Sequence, residues 1–593
     1  MNLKRKATLI MKKIALAVFA ATSVLLYSCG GGNNKNDKEG KIAKGGVYYG
    51  GVFRVNETED FRSLYPLDVT EVVSHRIANQ VYEGLVKLNQ EDLSVKPCIA
   101  EKWDVNEDAT SFVFYLRKGV KFHDNECFPE GKGREVKAQD FKYCLDKVCE
   151  SNPQNQMFWL FKDRVMGANE YNESTVKKAP LQGGVSGIKV IDDYTLQIDL
   201  SYSFAGFLNI LSHSACWVYP KEAYDKYGVD MRTNCVGTGA FRIKNIKEGE
   251  AVILDRNPDY WGIDQFGNQL PYLDAVKYTF IKEKKAELME FRKGNQEMVF
   301  RLPLEMVKEV VTEFEEAKNG GNISFEMQVV PAMSVFYYGF QHKLPPFDNK
   351  LVRQAFNFAI DRESIVNYTL QGDGRAGIYG IVPPFKGYEY EKIEGFKYDP
   401  EKARQLLKEA GYPNGKGFPK MILQINSGGG DRNVQTAEVI QKMLKENLNI
   451  EVQIEIMQFA QHLENLETGK ALFWRTGWTA DYPDPENFLN LLYSKHVPEN
   501  LADKSYINSV RYQSTRFDSI FELALREVDA KKRFELFRLA DQEAINDAAI
   551  MPIFYDENTR LLQTYVKNFP ANAMEYRDLS EVYLDQKEMN AKK

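Results

Sequence analysis

Histidine, serine and glycine patterns are the first place to look for a catalytic centre in this chain of 593 residues. No HExxH or other metal-binding spacing occurs, because the six histidines lie singly: His75, His123, His213, His342, His462 and His496. Gly184-Val185-Ser186-Gly187-Ile188 misses the last glycine of a nucleophile elbow, and Gly237-Thr238-Gly239 lacks the further glycine of a dinucleotide loop. The sequence therefore predicts no catalytic residue, no metal site and no cofactor, so binding is favoured over catalysis.

Cys29 has the clearest chemical role, because it ends a short apolar segment. Lys12 and Lys13 precede the apolar run 14–27, which is too short to cross roughly 30 Å of hydrocarbon as a helix. The Leu-x-Ser-Cys ending resembles the lipobox of bacterial lipoproteins, in which cleavage before the cysteine leaves its thiol acylated. An ordinary signal peptide or a short membrane anchor is the alternative. We expect a signal peptide over 1–28 and a lipid at Cys29 that holds the protein outside the cytoplasm on a bacterial membrane.

The composition describes a tethered globular protein. Residues 30–40 are polar and glycine-rich, which predicts a flexible tether over 29–45. The chain is 44% hydrophobic and 12% aromatic, enough for sizeable cores in two or three domains. A net charge of −6 without a basic stripe argues against nucleic acid as a partner. Six cysteines besides Cys29 permit disulfides, but they form no CxxC pattern and buried free thiols are the other possibility.

Apolar periodicity predicts interleaved strands and helices after the tether. Residues alternate between apolar and polar in 112–116, 194–200 and 450–456, which is typical of strands with one buried face. A helix is predicted over 399–411, where Asp399 precedes Pro400 as an N-cap and Gly411 follows the last apolar position. A second helix over 434–448 leads into the strand at Ile450. These elements together indicate a mixed α/β protein.

Short motifs occur in a fixed order between Gly50 and Pro552. They include Tyr82-Glu83-Gly84-Leu85-Val86, Leu116-Arg117-Lys118-Gly119-Val120, Gly237-Thr238-Gly239-Ala240-Phe241, Arg256-Asn257-Pro258-Asp259-Tyr260-Trp261, Val352-Arg353-Gln354-Ala355 and Ala359-Ile360-Asp361-Arg362-Glu363. Each motif alone is weak. Together, behind a lipobox, they resemble the family-5 extracytoplasmic solute-binding proteins of peptide and nickel ABC importers, over nearly the whole mature chain.

The resemblance implies an α/β, two-lobed periplasmic-binding-protein-like fold of cluster-C type, with an extra subdomain in lobe I. On this interpretation lobe I covers 46–330, with the extra subdomain at about 83–205. Lobe II then covers 331–554, and residues 555–593 return to lobe I. The ligand is expected between the lobes, which close over it by rotating on the two crossing segments.

The run from Arg475 to Pro485 is the ligand site that the resemblance implies. In peptide-binding relatives the residue matching Asp481 holds the ligand's N-terminal ammonium, and a charge-assisted hydrogen bond suits that role. Gly477, Trp478 and Thr479 would offer main-chain groups on which a peptide pairs as an added strand. Arg475 matches an arginine that meets a ligand carboxylate in some relatives. An ordinary turn carboxylate at Asp481 and a surface ion pair at Arg475 are the alternatives.

Two further expectations follow from the same resemblance. Thr70, Glu71 and Val72 are expected to form the edge of the cleft that faces the Trp478 segment. Some oligopeptide-binding relatives carry a disulfide at the positions of Ser334 and Thr479, so packing must hold this loop here.

The predicted function is capture of oligopeptides by a lipid-anchored binding protein that delivers them to an ABC permease and its ATPase. A monomer is expected. Another solute, such as a nickel chelate or a glycan, or a peptide-sensing role, is the alternative among binding proteins. A lipid-anchored hydrolase is the alternative from another class, and the missing nucleophile and metal motifs argue against it.

Overall fold

The structure is a computed structural model that describes residues 42–321, 324–384, 387–427 and 431–591. Cys29, the predicted signal peptide and most of the predicted tether lie outside the described residues. The last tether residues do not lie free: Ile42 forms a β-bridge with Tyr48, and the main-chain N–H of Lys44 donates to Asn268 Oδ1 at 3.1 Å. Residues 42–45, at the end of the predicted tether, therefore already contact the folded part.

The described strands are short except for two. They are β1 (Val52–Asn56), β2 (Val86–Leu88), β3 (Val95–Pro97), β4 (Ala100–Val105), β5 (Ser111–Leu116), β6 (Ile188–Asp192), β7 (Thr195–Asp199), β8 (Phe241–Lys247), β9 (Ala251–Arg256), β10 (Ala275–Thr279), β11 (Met298–Phe300), β12 (Phe325–Phe340), β13 (Arg375–Ala376), β14 (Met421–Asn426), β15 (Val452–Met457), β16 (Phe473–Thr479), β17 (Ile550–Gln563), β18 (Val566–Lys567) and β19 (Tyr583–Leu584). The long exceptions are β12 and β17, which contact each other.

The described helices are distributed along the whole chain. They are α1 (Val72–Ala78), α2 (Ala138–Val148), α3 (Ala168–Val176), α4 (Phe207–Ile210), α5 (Lys221–Tyr227), α6 (Lys284–Arg292), α7 (Val307–Gly320), α8 (Lys350–Phe358), α9 (Arg362–Ser364), α10 (Pro400–Glu409), α11 (Arg432–Leu448), α12 (Phe459–Glu467), α13 (Glu486–Leu489), α14 (Thr515–Arg526), α15 (Ala530–Asn546) and α16 (Gln586–Ala591). Within the described ranges, none is both long and apolar enough to cross a bilayer.

One mixed sheet runs through the described part of the molecule. Its strand order is β15-β14-β16-β12-β17-β11-β1-β10-β9-β8, and β13 pairs with β17. Each half of the sheet contains parallel pairs, such as β14 with β15 and β1 with β10, whereas β12 and β17 pair antiparallel at its centre. Their ladder is interrupted by a register shift between Pro331 and Val335 on β12. This pair therefore links the two halves of the sheet, and its register shift lies within that link.

A separate four-stranded sheet, β4-β5-β7-β6, lies in the region predicted as the extra subdomain. It confirms the strands predicted at 112–116 and 194–200, since β5 and β7 pair there with alternating burial. Main-chain contacts connect the residues directly after β7 to Arg164 and Val165. Ser201 N donates to Arg164 O at 2.7 Å, and Val165 forms a β-bridge with Leu200.

The two helices predicted around residues 399 and 434 are confirmed. The Asp399 side chain accepts a hydrogen bond from the Lys402 main-chain N–H at 2.9 Å, as an N-cap does, and Gly411 has a φ of +97° just past the helix end. The alternation over 450–456 predicts a strand with one buried face. That face is buried at Ile450 and Val452, but Ile456 at the end of this edge strand is 53% exposed. The alternation therefore predicts which face of the strand points inward, but not how many of its residues are buried by other parts of the protein.

Two sequence motifs meet at the buried carboxylate of Glu83. Its oxygens accept hydrogen bonds from Tyr260 Oη at 2.8 Å, Trp261 Nε1 at 2.8 Å and Thr238 Oγ1 at 2.9 Å. A buried carboxylate is tolerated only when its lone pairs are matched in this way. These hydrogen bonds thus join the motif residues around Glu83. The six described cysteines are free thiols, five of them buried.

Candidate functional site

The strand β16 offers an open main-chain edge. It pairs with β12 along its length but with β14 only at Phe473 and Trp474. Ala480 N donates to Met333 O at 2.9 Å, and hydrogen-bonded and non-hydrogen-bonded pairs alternate along an antiparallel ladder. Every second residue therefore has its main-chain N–H and C=O turned away from β12, and these residues include Gly477 and Thr479. An extended chain can hydrogen-bond to this edge.

Asp481 follows the open edge directly and is held by Asn487. The main-chain N–H of Asp481 donates to Asn487 Oδ1 at 3.0 Å, and Asn487 Nδ2 donates to Asp481 Oδ2 at 3.3 Å. Trp478 Nε1 donates to the same Oδ1 at 2.8 Å. One buried carboxamide thus orients both the Trp478 indole and the Asp481 carboxylate.

Aromatic and imidazole side chains surround the Asp481 carboxylate. His213 Nε2 lies 4.0 Å from Asp481 Oδ1, and the Trp478 and Tyr506 rings lie 6.5 Å apart. His213 Nδ1 accepts the Ala215 N–H at 3.1 Å, so the neutral ring carries its proton on Nε2, toward Asp481. We call this group, together with His75 on α1, the Asp481 pocket.

Burial shifts the pKa values of the ionisable side chains in the Asp481 pocket. Although 31% of the Asp481 side chain is accessible, burial raises its pKa to about 7, against the Asn487 hydrogen bond and with a smaller rise from Glu486. Burial, aided by the nearby His75, lowers the pKa of His213 to about 3, and burial lowers the pKa of His75 to about 4. Both imidazoles are therefore neutral at pH 7. A cation that enters the pocket would favour the ionised form of the Asp481 carboxyl.

Arg475 lies on the same strand but in a different environment. Its Nη1 donates to Asn426 Oδ1 at 2.9 Å, and its guanidinium lies 4.6 Å from the Phe336 ring centroid. Burial lowers the pKa of Arg475 to about 10, and the positive charges of Arg432 and Arg301 add to the decrease. Arg475 lines a cavity with the hydroxyls of Tyr338 and Thr436, which have no hydrogen-bond partner among the described residues. Arg475 thus contacts an amide and an aromatic ring beside a cavity, which differs from the surface ion pair considered as its alternative.

Thr70, Glu71 and Val72 do not extend as a strand beside β16. Glu71 caps α1 instead, with its carboxylate accepting the Ser74 main-chain N–H at 2.9 Å. Val72 begins the helix and is 41% exposed. The local capping bond favours a helix start here, and the expectation that these residues form the cleft edge facing the Trp478 segment stays a prediction.

Ser334 and Thr479 are cross-strand partners, as the disulfide of some relatives implied for their positions. They pair in the β12–β16 ladder, and Thr479 Oγ1 donates to Ser334 Oγ at 3.3 Å. A hydroxyl pair and the strand ladder thus hold the loop here.

Sequence reasoning missed four residues of this region: His213, His75, Asn487 and Tyr506. The histidines gave no local signal, since His213 reaches Asp481 from a distant segment and His75 acts on His213. Asn487 is six residues past Asp481, but its double contact depends on the turn between them. Within the described residues, no group of three His, Cys, Asp or Glu side chains is placed to hold a metal ion.

Solved structures of binding proteins share this fold. A DppA from Helicobacter pylori in complex with the peptide STSA matches 91% of this chain and 98% of its own at 25% identity, with a TM-score of 0.76. An oligopeptide-binding protein OppAIV from Borrelia burgdorferi matches 90% and 99% at 25% identity, with a TM-score of 0.77. The fold is thus the α/β, cluster-C fold of periplasmic binding proteins, as predicted. It defines the class of the molecule as an extracytoplasmic binding protein.

The chain belongs to the bacterial extracellular solute-binding proteins, family 5, whose middle region matches residues 94–499. It is also 29% identical over 523 residues to the periplasmic oligopeptide-binding protein OppA of Escherichia coli K12, covering 87% of this chain and 89% of that protein. The family consists of solute-binding proteins, so its members are not enzymes.

Proposed function

We propose that this protein captures oligopeptides outside the cytoplasm and delivers them to the permease and ATPase of an ABC importer. The observation that carries the proposal is the Asp481 carboxyl, which lies in an aromatic pocket at the end of an open strand edge. Every free peptide carries an ammonium and a main chain, and these two features match the two groups that the site offers. The peptide-binding relatives support the same ligand class.

The peptide's ammonium sits at Asp481, and its main chain pairs with Gly477 and Thr479. Such pairing reads the main chain and ignores most side chains. Trp478 is fixed by Asn487 and forms an apolar wall beside the ammonium. Arg475 meets a ligand carboxylate, and the unpartnered hydroxyls of its cavity provide further donors.

The lobes follow the division predicted from the sequence: lobe I over 46–330 with its subdomain at about 83–205, lobe II over 331–554, and a return over 555–593. The register shift on β12 between Pro331 and Val335 supports these crossing points, since it lies opposite Tyr555 to Glu557 on β17. The lobes close over the peptide by bending at this pair.

A lipid on Cys29 anchors the protein near its permease. One acyl chain alone binds a membrane weakly, so the multiple acylation typical of lipobox proteins supports stable anchoring. Cys29→Ser should abolish palmitate labelling and release the protein from the membrane fraction. Unchanged labelling in that variant would overturn the anchor.

Calorimetry with matched peptides tests the peptide assignment. A free tetrapeptide and its N-acetylated form differ only in the ammonium. The wild-type protein should bind the free form at least tenfold more tightly. Equal binding of the two forms, or tight uptake of a nickel chelate or glycan with no peptide binding, would contradict the proposal.

A further inference from the structure

Arg164 forms a buried ion pair with the loop that carries Asp481. Its Nη2 donates to Glu486 Oε1, and both side chains are almost wholly excluded from solvent. Tyr482 Oη donates to the other oxygen of Glu486. Breaking a pair of this kind is costly, because it leaves the remaining charge buried without a partner.

The two partners belong to different parts of the fold. The main chain of Arg164 is tied to the four-stranded sheet through Ser201, in the segment 83–205. Glu486 begins α13, seven residues after the end of β16 in the main sheet. The pair therefore joins the extra subdomain of lobe I to lobe II, on the proposed division of the chain.

A second contact crosses between the same two segments. Lys162 Nζ donates to Lys495 O at 3.3 Å. The Phe204 ring lies between Arg164 and Arg533, at 5.3 Å and 5.7 Å from the two guanidinium carbons. On the proposed division, these contacts also join the extra subdomain to lobe II.

Glu486 also fixes the geometry around Asp481. The next residue, Asn487, contacts Asp481 twice and Trp478 once. The main-chain N–H of Glu486 donates to Asp484 Oδ1 at 2.9 Å, which fixes its backbone. Holding Glu486 in place therefore holds Asn487, and through it the Asp481 carboxylate.

We propose that Arg164 is a positioning residue for ligand capture: it reaches Glu486 when the lobes close and fixes the Asp481 loop around the bound ligand. The identity of the ligand, the division into lobes and their closing motion rest on the proposed function. The ion pair is available in the closed form and is lost on opening, so Arg164 contributes to the closed form more than to the open form.

A double-mutant cycle in the full chain tests this role. Arg164→Met and Glu486→Gln should each weaken binding of a free tetrapeptide at least tenfold, and the double variant should bind no more weakly than either single variant. Arg164→Lys keeps the charge and should recover part of the loss. The control pair is Lys142 and Asp146, a buried ion pair inside the extra subdomain at 2.6 Å. Lys142→Met should leave the dissociation constant within twofold of wild type.

Comparing binding with unfolding distinguishes a positioning residue from one that only stabilises the fold. The Arg164–Glu486 coupling energy obtained from dissociation constants should exceed the coupling energy obtained from urea unfolding of the ligand-free protein. A dissociation constant unchanged by Arg164→Met, or a coupling found only in unfolding, would overturn the proposal.

Fluorescence energy transfer between two dyes measures lobe closure without any peptide, so this test does not depend on peptide binding. Dyes on Lys177→Cys and Lys442→Cys, two exposed positions, report lobe separation in the ligand-free protein. Arg164→Met should lower the closed fraction at least threefold. If wild type binds no peptide, the proposed function fails, and an equal closed fraction in both proteins would overturn the role of Arg164 separately.

Discussion

Asn487 contacts Asp481 from two directions, accepting the Asp481 main-chain N–H at 3.0 Å and donating to its carboxylate at 3.3 Å. The same carboxamide oxygen accepts the Trp478 indole N–H. The strand end, the indole and the carboxylate therefore move as one unit, and the pocket is organised before a ligand arrives.

Asn487→Leu should disrupt this unit. The substitution leaves the Asp481 N–H and the Trp478 Nε1–H without an acceptor, each at a cost of about 1–3 kcal/mol. Peptide affinity should fall at least about tenfold, and the free energy of unfolding in urea should fall by about 2 kcal/mol. Asn268 contacts Asp264 twice in a similar way, far from the pocket. Asn268→Leu should cost stability only, and an equal loss of affinity in both variants would contradict the role of Asn487.

Peptide affinity should rise with pH between about 5 and 7. Burial raises the pKa of ligand-free Asp481 to about 7, and a bound ammonium favours the ionised form and so lowers this pKa. Below pH 7 the carboxyl must release a proton on binding, so affinity should fall by about tenfold per pH unit. His213 and His75, with pKa values of about 3 and 4, stay neutral in this window.

Calorimetry in two buffers of different ionisation enthalpy measures this proton release directly. The control is Asp481→Asn, for which the affinity should be independent of pH from 5 to 7. A wild-type affinity that is flat, or that increases as the pH falls, would exclude Asp481 as the ammonium's partner.

The thiols should be unreactive in the native protein. Five described cysteines are buried, and burial raises the pKa of the half-buried Cys127 to about 11, so little thiolate forms at pH 7.5. In the Cys29→Ser chain, a disulfide reagent should titrate fewer than one thiol natively and all six in guanidinium. Fewer than six thiols after unfolding without reductant would reveal a disulfide.

Local patterns predicted the parts of the fold that depend on short-range physics. The Asp399 N-cap, the Gly411 helix end and the alternating strand at 112–116 each follow from a few neighbouring residues. The same patterns could not show that Ile456 is uncovered, because its exposure depends on what packs over the end of β15. Nor did these patterns identify the helix start at Glu71, whose carboxylate accepts the Ser74 main-chain N–H.

The site was predictable only on the strand that carries its motif. Trp478 and Asp481 lie close in sequence, and their segment was identified by resemblance to a family. His213 lies near Asp481, His75 acts on His213, and Arg164 donates to Glu486, but all three come from other segments that no spacing in the sequence connects to Asp481. Their contribution depends on the tertiary arrangement of the lobes.

The most direct test of the account combines Asp481→Asn with N-acetylation of a tetrapeptide, measured by calorimetry as a two-by-two cycle. Each change removes one partner of the same charge pair, so each alone should cost on the order of 2–4 kcal/mol of binding free energy in wild type. Together they should cost little more than either alone, which gives a large coupling energy. Additive losses, or free and acetylated peptides that bind wild type equally well, would show that Asp481 does not hold the peptide's ammonium.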